Sequence, residues 1–181
     1  MTPEHPASEV PRQLVHRRDL SMQAYRREDG LHDLEVVLTD VKPHTFSSSK
    51  RVFLAGVPVH RMTLCVTIDD SCNIVRVAAD MPSTPFPGVC PAAVERMQCL
   101  VGCNLWKGFS RELTTQLGPA DRCSHLVMMA KQLPALAVQA LMHREPVSGQ
   151  RPLKIDGCHA WQASGVLVKE HLPEWYTGSA P

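Results

Sequence analysis

Between residues 59 and 69 (VHRMTLCVTID) apolar and polar positions alternate strictly. His60, Met62, Leu64, Val66 and Ile68 share one face, and Arg61, Thr63, Cys65 and Thr67 share the other. A period of two marks a half-buried strand. The turn residues Asp69-Asp70-Ser71-Cys72-Asn73 follow, and residues 74–79 (IVRVAA) read as a second strand, so the pair predicts an antiparallel hairpin. Upstream, residues 31–40 (LHDLEVVLTD) predict another strand, closed by a turn at Lys42-Pro43 and a loop over 44–51. Residues 22–30 are polar and end in Gly30.

After residue 80 the period changes. Residues 81–90 (MPSTPFPGVC) carry Pro82, Pro85, Pro87 and Gly88, which take the chain out of the sheet. Pro91 then fits the first position of a helix, where its missing N–H costs nothing, with Val94, Met97, Cys99, Leu100 and Val101 as the apolar side. Residues 108–117 predict a second helix, stopped by Gly118-Pro119. Residues 121–143 predict a third, interrupted or kinked at Pro134. Residues 153–161 and 166–169, separated by Ala163-Ser164-Gly165, read as a further hairpin. Strands first and helices afterwards imply an α+β fold, a small antiparallel sheet packed against three helices. The expected organisation is an N-terminal tail over 1–20, one domain over 21–176 and a short tail over 177–181.

Composition narrows the function classes. A chain of 181 residues with 44% hydrophobic residues can bury a core, and the net charge is only +1. No basic run exceeds two residues, which speaks against nucleic acid or anionic lipid as a partner. No apolar stretch approaches membrane-spanning length, and the first 20 residues lack an apolar leader. Seven cysteines, an odd number, then predict free thiols in a reducing, cytoplasmic setting. There is no Gly-rich phosphate loop, no G-x-S-x-G elbow and no H-E-x-x-H pair.

Candidate chemistry rests on thiols at helix starts. Cys90 is expected to cap the helix that Pro91 opens, and Cys123 to lie at the start of the third helix. A helix N-terminus favours thiolate, the form that binds metal or attacks electrophiles. His60 stands in an otherwise apolar row, and a buried imidazole needs partners. His60, Cys90 and Cys123 are therefore the expected ligands of a metal ion, with His125, Cys158 or His159 completing the shell. Zinc accepts mixed His and Cys ligands, and thiolates also suit iron–sulfur clusters. On a regular helix Cys123 and His125 face nearly opposite ways, as do Cys158 and His159 on a strand. Two other classes stay open: a small enzyme with Cys90 or Cys123 as nucleophile and His60 as base, and an accessory protein that binds a protein partner or a second copy of itself.

The segments YRREDGLHDLEVVLTDVKP (25–43), GVPVHRMTLCVTIDD (56–70), CP (90–91), CSHL (123–126) and DGCHAW (156–161) together resemble an uncharacterised bacterial family, domain of unknown function 2889. The likeness spans about residues 20–176 and implies no activity. Arg61 stands where the family tends to have Asp, and CSHL where it tends to have CTHL. More distantly, residues 56–142 are similar to the NifU/IscU-type iron–sulfur scaffold, in which a hairpin leads to a helix-start cysteine and a later cysteine opens a long helix. That likeness implies a scaffold-like core with an added N-terminal strand and C-terminal hairpin. It sets His60 at a liganding Asp position, Cys90 and Cys123 at cysteine positions, Pro58 near a missing cysteine and Arg122 at a histidine.

Overall fold

The computed structural model describes residues 10–48, 51–118, 122–142, 149 and 151–178. Four strands form one antiparallel sheet in the order β1-β2-β5-β6: β1 (Arg17–Arg26), β2 (His32–Val41), β5 (Pro58–Ile68) and β6 (Ile74–Ser83). Between β2 and β5 a small hairpin, β3 (Phe46–Ser48) and β4 (Arg51–Phe53), stands apart, with the Phe46 and Phe53 rings stacked at 4.7 Å. Five α-helices follow among the described residues: α1 (Ala92–Arg96), α2 (Phe109–Gln116), α3 (Ser124–Ala130), α4 (Leu133–Leu141) and α5 (Val166–His171). The fold is α+β, as the order of periodicities predicts.

The alternation in the sequence is the alternation in the sheet. On β2, His32, Leu34, Val36, Leu38 and Asp40 are buried while the residues between them are half-exposed. On β5, Met62, Leu64, Val66 and Ile68 face the same way. Ile74, Val77 and Met81 of β6 extend this inner face. Helices cover it with Phe109 and Leu113 of α2, Leu126 and Met129 of α3, and Leu133, Ala137 and Leu141 of α4. These side chains form one contiguous apolar core, the main favourable term in folding.

The structure departs from expectation at β1, at the first helix and in the loop expected over 44–51. β1 starts at Arg17, inside the stretch expected as tail. Nearly all of its side chains are exposed, with Leu20 alone half-buried, so no apolar alternation marks it. Backbone pairing to β2, from Arg17 opposite Val41 to Arg26 opposite His32, holds it instead. The first expected helix is five α-helical residues followed by a 3₁₀ turn at Met97–Leu100. The described part of the third divides in two as expected, at Lys131-Gln132, with Pro134 in the first turn of α4, where a proline needs no N–H donor. The loop expected over 44–51 contains β3 and the start of β4.

The C-terminal hairpin expected over 153–169 is absent from the described residues. That segment is helical: a 3₁₀ turn at His159–Trp161, then α5, then a second 3₁₀ turn at Pro173–Trp175. Four residues of V-L-V-K cannot separate a strand from a helix. Val168 and Leu172, four apart, pack with Ile155, Ala163, Trp161, Trp175 and Tyr176 into a small second core. Asp156 shapes the entry to it, adopting φ 59° and accepting the Ala163 N–H at 2.8 Å.

The two faces of β2 make a direct test. Leu38→Ala removes a fully buried side chain and should lower unfolding free energy by about 2–5 kcal/mol in a denaturant titration. Val37→Ala, on the half-exposed opposite face, should cost about 1 kcal/mol or less. Equal losses would mean that the inner face is not the core.

Candidate functional site

The inner row of β2 ends on a charge. Asp40 continues the parity of Leu34, Val36 and Leu38, so its carboxylate points into the fold, and its side chain is 2% exposed. A buried carboxylate must be paired or hydrogen-bonded. The register supplies partners on both sides, because Arg18 of β1 and His60 of β5 both lie opposite Asp40. Immediately beyond, the β2–β5 register slips, Val41 pairing with Pro58 rather than Val59. Bulges of this kind re-aim side chains at sheet ends.

Arg18 grips the carboxylate edge-on, with Nε donating to Oδ1 at 2.6 Å and Nη2 to Oδ2 at 2.7 Å. His60 Nδ1 lies 3.1 Å from Oδ2 and His16 Nε2 lies 3.2 Å from Oδ1. The second residue of α3 completes the group: His125 Nε2 lies 3.5 Å from Oδ2. The His60 and His125 rings sit 4.1 Å apart between centroids, tilted by 33°. Ligand atoms of Asp40, His60 and His125 all fall within 4.8 Å of one another, a grouping that could hold a metal ion. Three elements distant in sequence therefore converge on one carboxylate oxygen.

Electrostatics sets the protonation states. Burial pushes the Asp40 carboxyl upward, but the hydrogen bonds and charge of Arg18, with His60 and His16, outweigh it and hold the group below its ordinary value. Burial pushes His60 down, against the pull of Asp40. Burial also pushes His125 down, helped by neighbouring His60 and Arg18. Asp40 is thus a carboxylate, and both imidazoles are biased to the neutral form that offers a lone pair.

Of the residues singled out in the sequence, His60 and His125 stand in this group and Cys123 stands beside it. Cys123 is the N-cap of α3 with extended backbone (ψ 120°), and its Sγ lies 3.9 Å from His125 Nδ1. Helical spacing would separate the two, but Cys123 is outside the helix, so the two-residue offset no longer turns it away. Cys90 is not part of the convergent group. Its N–H donates to Phe86 O in a turn, leaving Pro91 rather than Cys90 as the N-cap of α1. Cys158 and His159 are exposed in the C-terminal segment, where His159 Nδ1 lies 3.3 Å from Gln162 Nε2. Arg61 lies opposite Thr39 on the outer face, turned away from Asp40. Sequence reasoning missed Asp40 and Arg18. The signal for Asp40 was its parity with Leu34, Val36 and Leu38; Arg18 carried none, because β1 has no apolar pattern.

Acid should loosen this site in two stages. A histidine whose folded pKa is depressed contributes full stability above its unfolded value of about 6.5 and loses it as pH falls towards the folded value. A depressed carboxyl contributes above about 3.9 and is lost as pH falls through its folded value. Unfolding free energy measured from pH 7.5 to 2.5 should therefore fall first near neutrality and again at acid pH. The His60→Gln/His125→Gln variant should flatten the first limb, and Asp40→Asn should blunt the second. A first limb unchanged in the double variant would place its origin elsewhere.

No helix among the described residues is long and apolar enough to cross a membrane. Searches of curated proteins and of solved structures each find no match, and the likeness to the NifU/IscU-type scaffold gains no support from them. A family profile described as "Protein of unknown function (DUF2889)" does match, over residues 16–139. That span runs from His16 to α4 and includes Arg18, Asp40, His60, Cys123 and His125, while the C-terminal helical segment lies beyond it. The chain belongs to this family of proteins of unknown function.

Proposed function

We propose that this domain binds a divalent transition-metal ion through Asp40, His60 and His125. The observation that carries the reading is the convergence of three donor groups, from β2, β5 and α3, within 4.8 Å. Two imidazoles and a carboxylate suit zinc, iron(II) and neighbouring first-row ions. They do not suit an iron–sulfur cluster, which calls for several thiolates. Three protein ligands leave coordination positions open, the hallmark of a site that meets a substrate or water rather than a closed structural one. Cys123 then stands behind the metal-facing ring: with Nε2 on the ion, the proton sits on Nδ1 and Sγ accepts it. Such outer partners fix the tautomer of a liganding histidine.

Metal-free full-length protein titrated with zinc by calorimetry, with metal content read by plasma mass spectrometry, should take up about one equivalent. His60→Ala, His125→Ala and Asp40→Asn should each weaken binding by at least about tenfold, whereas Cys90→Ser should leave it unchanged. Folded wild-type protein that takes up no zinc, iron(II), nickel or manganese would overturn the reading.

The 3.9 Å contact of Cys123 Sγ with His125 Nδ1 favours a second reading. Cys123, His125 and Asp40 lie in line, as a nucleophile, its base and the group that orients the base. In that case Cys123 should be the most rapidly alkylated of the seven cysteines by iodoacetamide, and His125→Gln should slow it about tenfold or more. Zinc protection of His60 and His125 with uniformly slow alkylation would exclude it.

A further inference from the structure

Arg18 and His16 are the most exposed members of the Asp40 cluster, with 39% of their side chains exposed, against 17% for His60, 20% for His125 and 2% for Asp40. The two contacts of Arg18 are also inequivalent. Oδ1 is shared with His16, but Oδ2 is where His60 Nδ1 and His125 Nε2 converge as well. An ion held by the three ligands through Oδ2 would compete with Nη2 for that oxygen, while Nε keeps its contact with Oδ1. The guanidinium would then stand beside the ion.

We propose that the ion's open position takes an oxyanion, a carboxylate or phosphate group, which Arg18 pairs with through the donors it withdraws from Oδ2. The inference rests on the metal reading above. Two arguments carry it. A divalent ion, one carboxylate, one guanidinium and neutral imidazoles leave the cluster strongly positive, so an anionic ligand is favoured over a neutral one. The guanidinium edge already holds a carboxylate in side-on geometry, so it is preorganised for a planar two-oxygen group and equally able to take two phosphate oxygens.

Cobalt(II) is a suitable probe, because its visible absorption reports changes in coordination. Full-length protein loaded with cobalt(II) is titrated with acetate, succinate and inorganic phosphate, in the wild type and in Arg18→Lys. Lysine keeps the charge beside Asp40 but loses the fork, and a thermal melt checks its fold. The expected result is a saturable spectral change with at least one anion, weakened about tenfold in Arg18→Lys when both proteins are titrated at saturating cobalt. Which anion acts at the lowest concentration identifies the source, carboxylate or phosphate. Cobalt that binds but responds to none of the anions in the wild type overturns the oxyanion inference and leaves the metal reading standing. Equal anion affinity in a folded Arg18→Lys does the same for the role of Arg18. No cobalt uptake overturns both.

Discussion

One buried carboxylate organises this end of the fold. A carboxylate removed from water costs several kcal/mol unless it is paired, and Asp40 is paired on every side. Arg18 satisfies both oxygens, and His16, His60 and His125 stand within 3.5 Å. That demand adds a polar tie between β1, β2, β5 and α3 to the backbone ladders and apolar packing they already share. β1 presents almost no apolar surface to the core, so beyond its backbone ladder the Arg18–Asp40 pair is what anchors its start. α3 is only seven residues long, and its second residue faces the same oxygen.

Antiparallel pairing does the positioning. Cross-strand register fixes Arg18, Asp40 and His60 in a single row, and period-two parity turns the row inward. A slip of one residue in either ladder would send Asp40 to the outer face and turn Thr39 and Val41 inward, which is why the apolar residues of β2 and β5 matter to the site without touching it. Leu34, Val36 and Leu38 cannot be buried unless Asp40 is buried with them. The polar cluster thus inherits its precision from the apolar core.

Much of this frame was legible in the sequence, and the parts that were not have physical causes. β2, β5 and β6 declare themselves by alternation because each has a buried face and a wet one. β1 is a strand by virtue of its neighbour, and nothing in R-R-D-L-S-M-Q-A-Y-R distinguishes it from a polar tail. The C-terminal segment misleads for the opposite reason: V-L-V-K suits a strand, but packing of Val168 and Leu172 against Trp161 and Trp175 decides for a helix. At the site, His60 could be found as the polar residue in an apolar row. The same argument applied to Asp40 finds its partner, but an aspartate next to a Lys-Pro turn is easily taken as turn chemistry. Helix starts drew attention to Cys90 and Cys123, and Cys123 does reach His125. Helix position says nothing about which distant strand a residue will face, so it could not tell the two thiols apart.

The competition for Asp40 Oδ2 gives the proposed site its character. Arg18 neutralises the carboxylate and burial biases both imidazoles to the neutral form, so the three donor groups already stand together. Under the metal reading, an ion would compete for Oδ2 with a charge-assisted hydrogen bond, which would weaken its binding relative to an unobstructed triad of the same ligands. Arg18 would stay nearby, because Nε also holds Oδ1 and the backbone of β1 is paired with β2. Its position beside such an ion would follow from the fold rather than from chance encounter. Under the oxyanion proposal, the group that competes for the carboxylate is also the group that would recognise the anion.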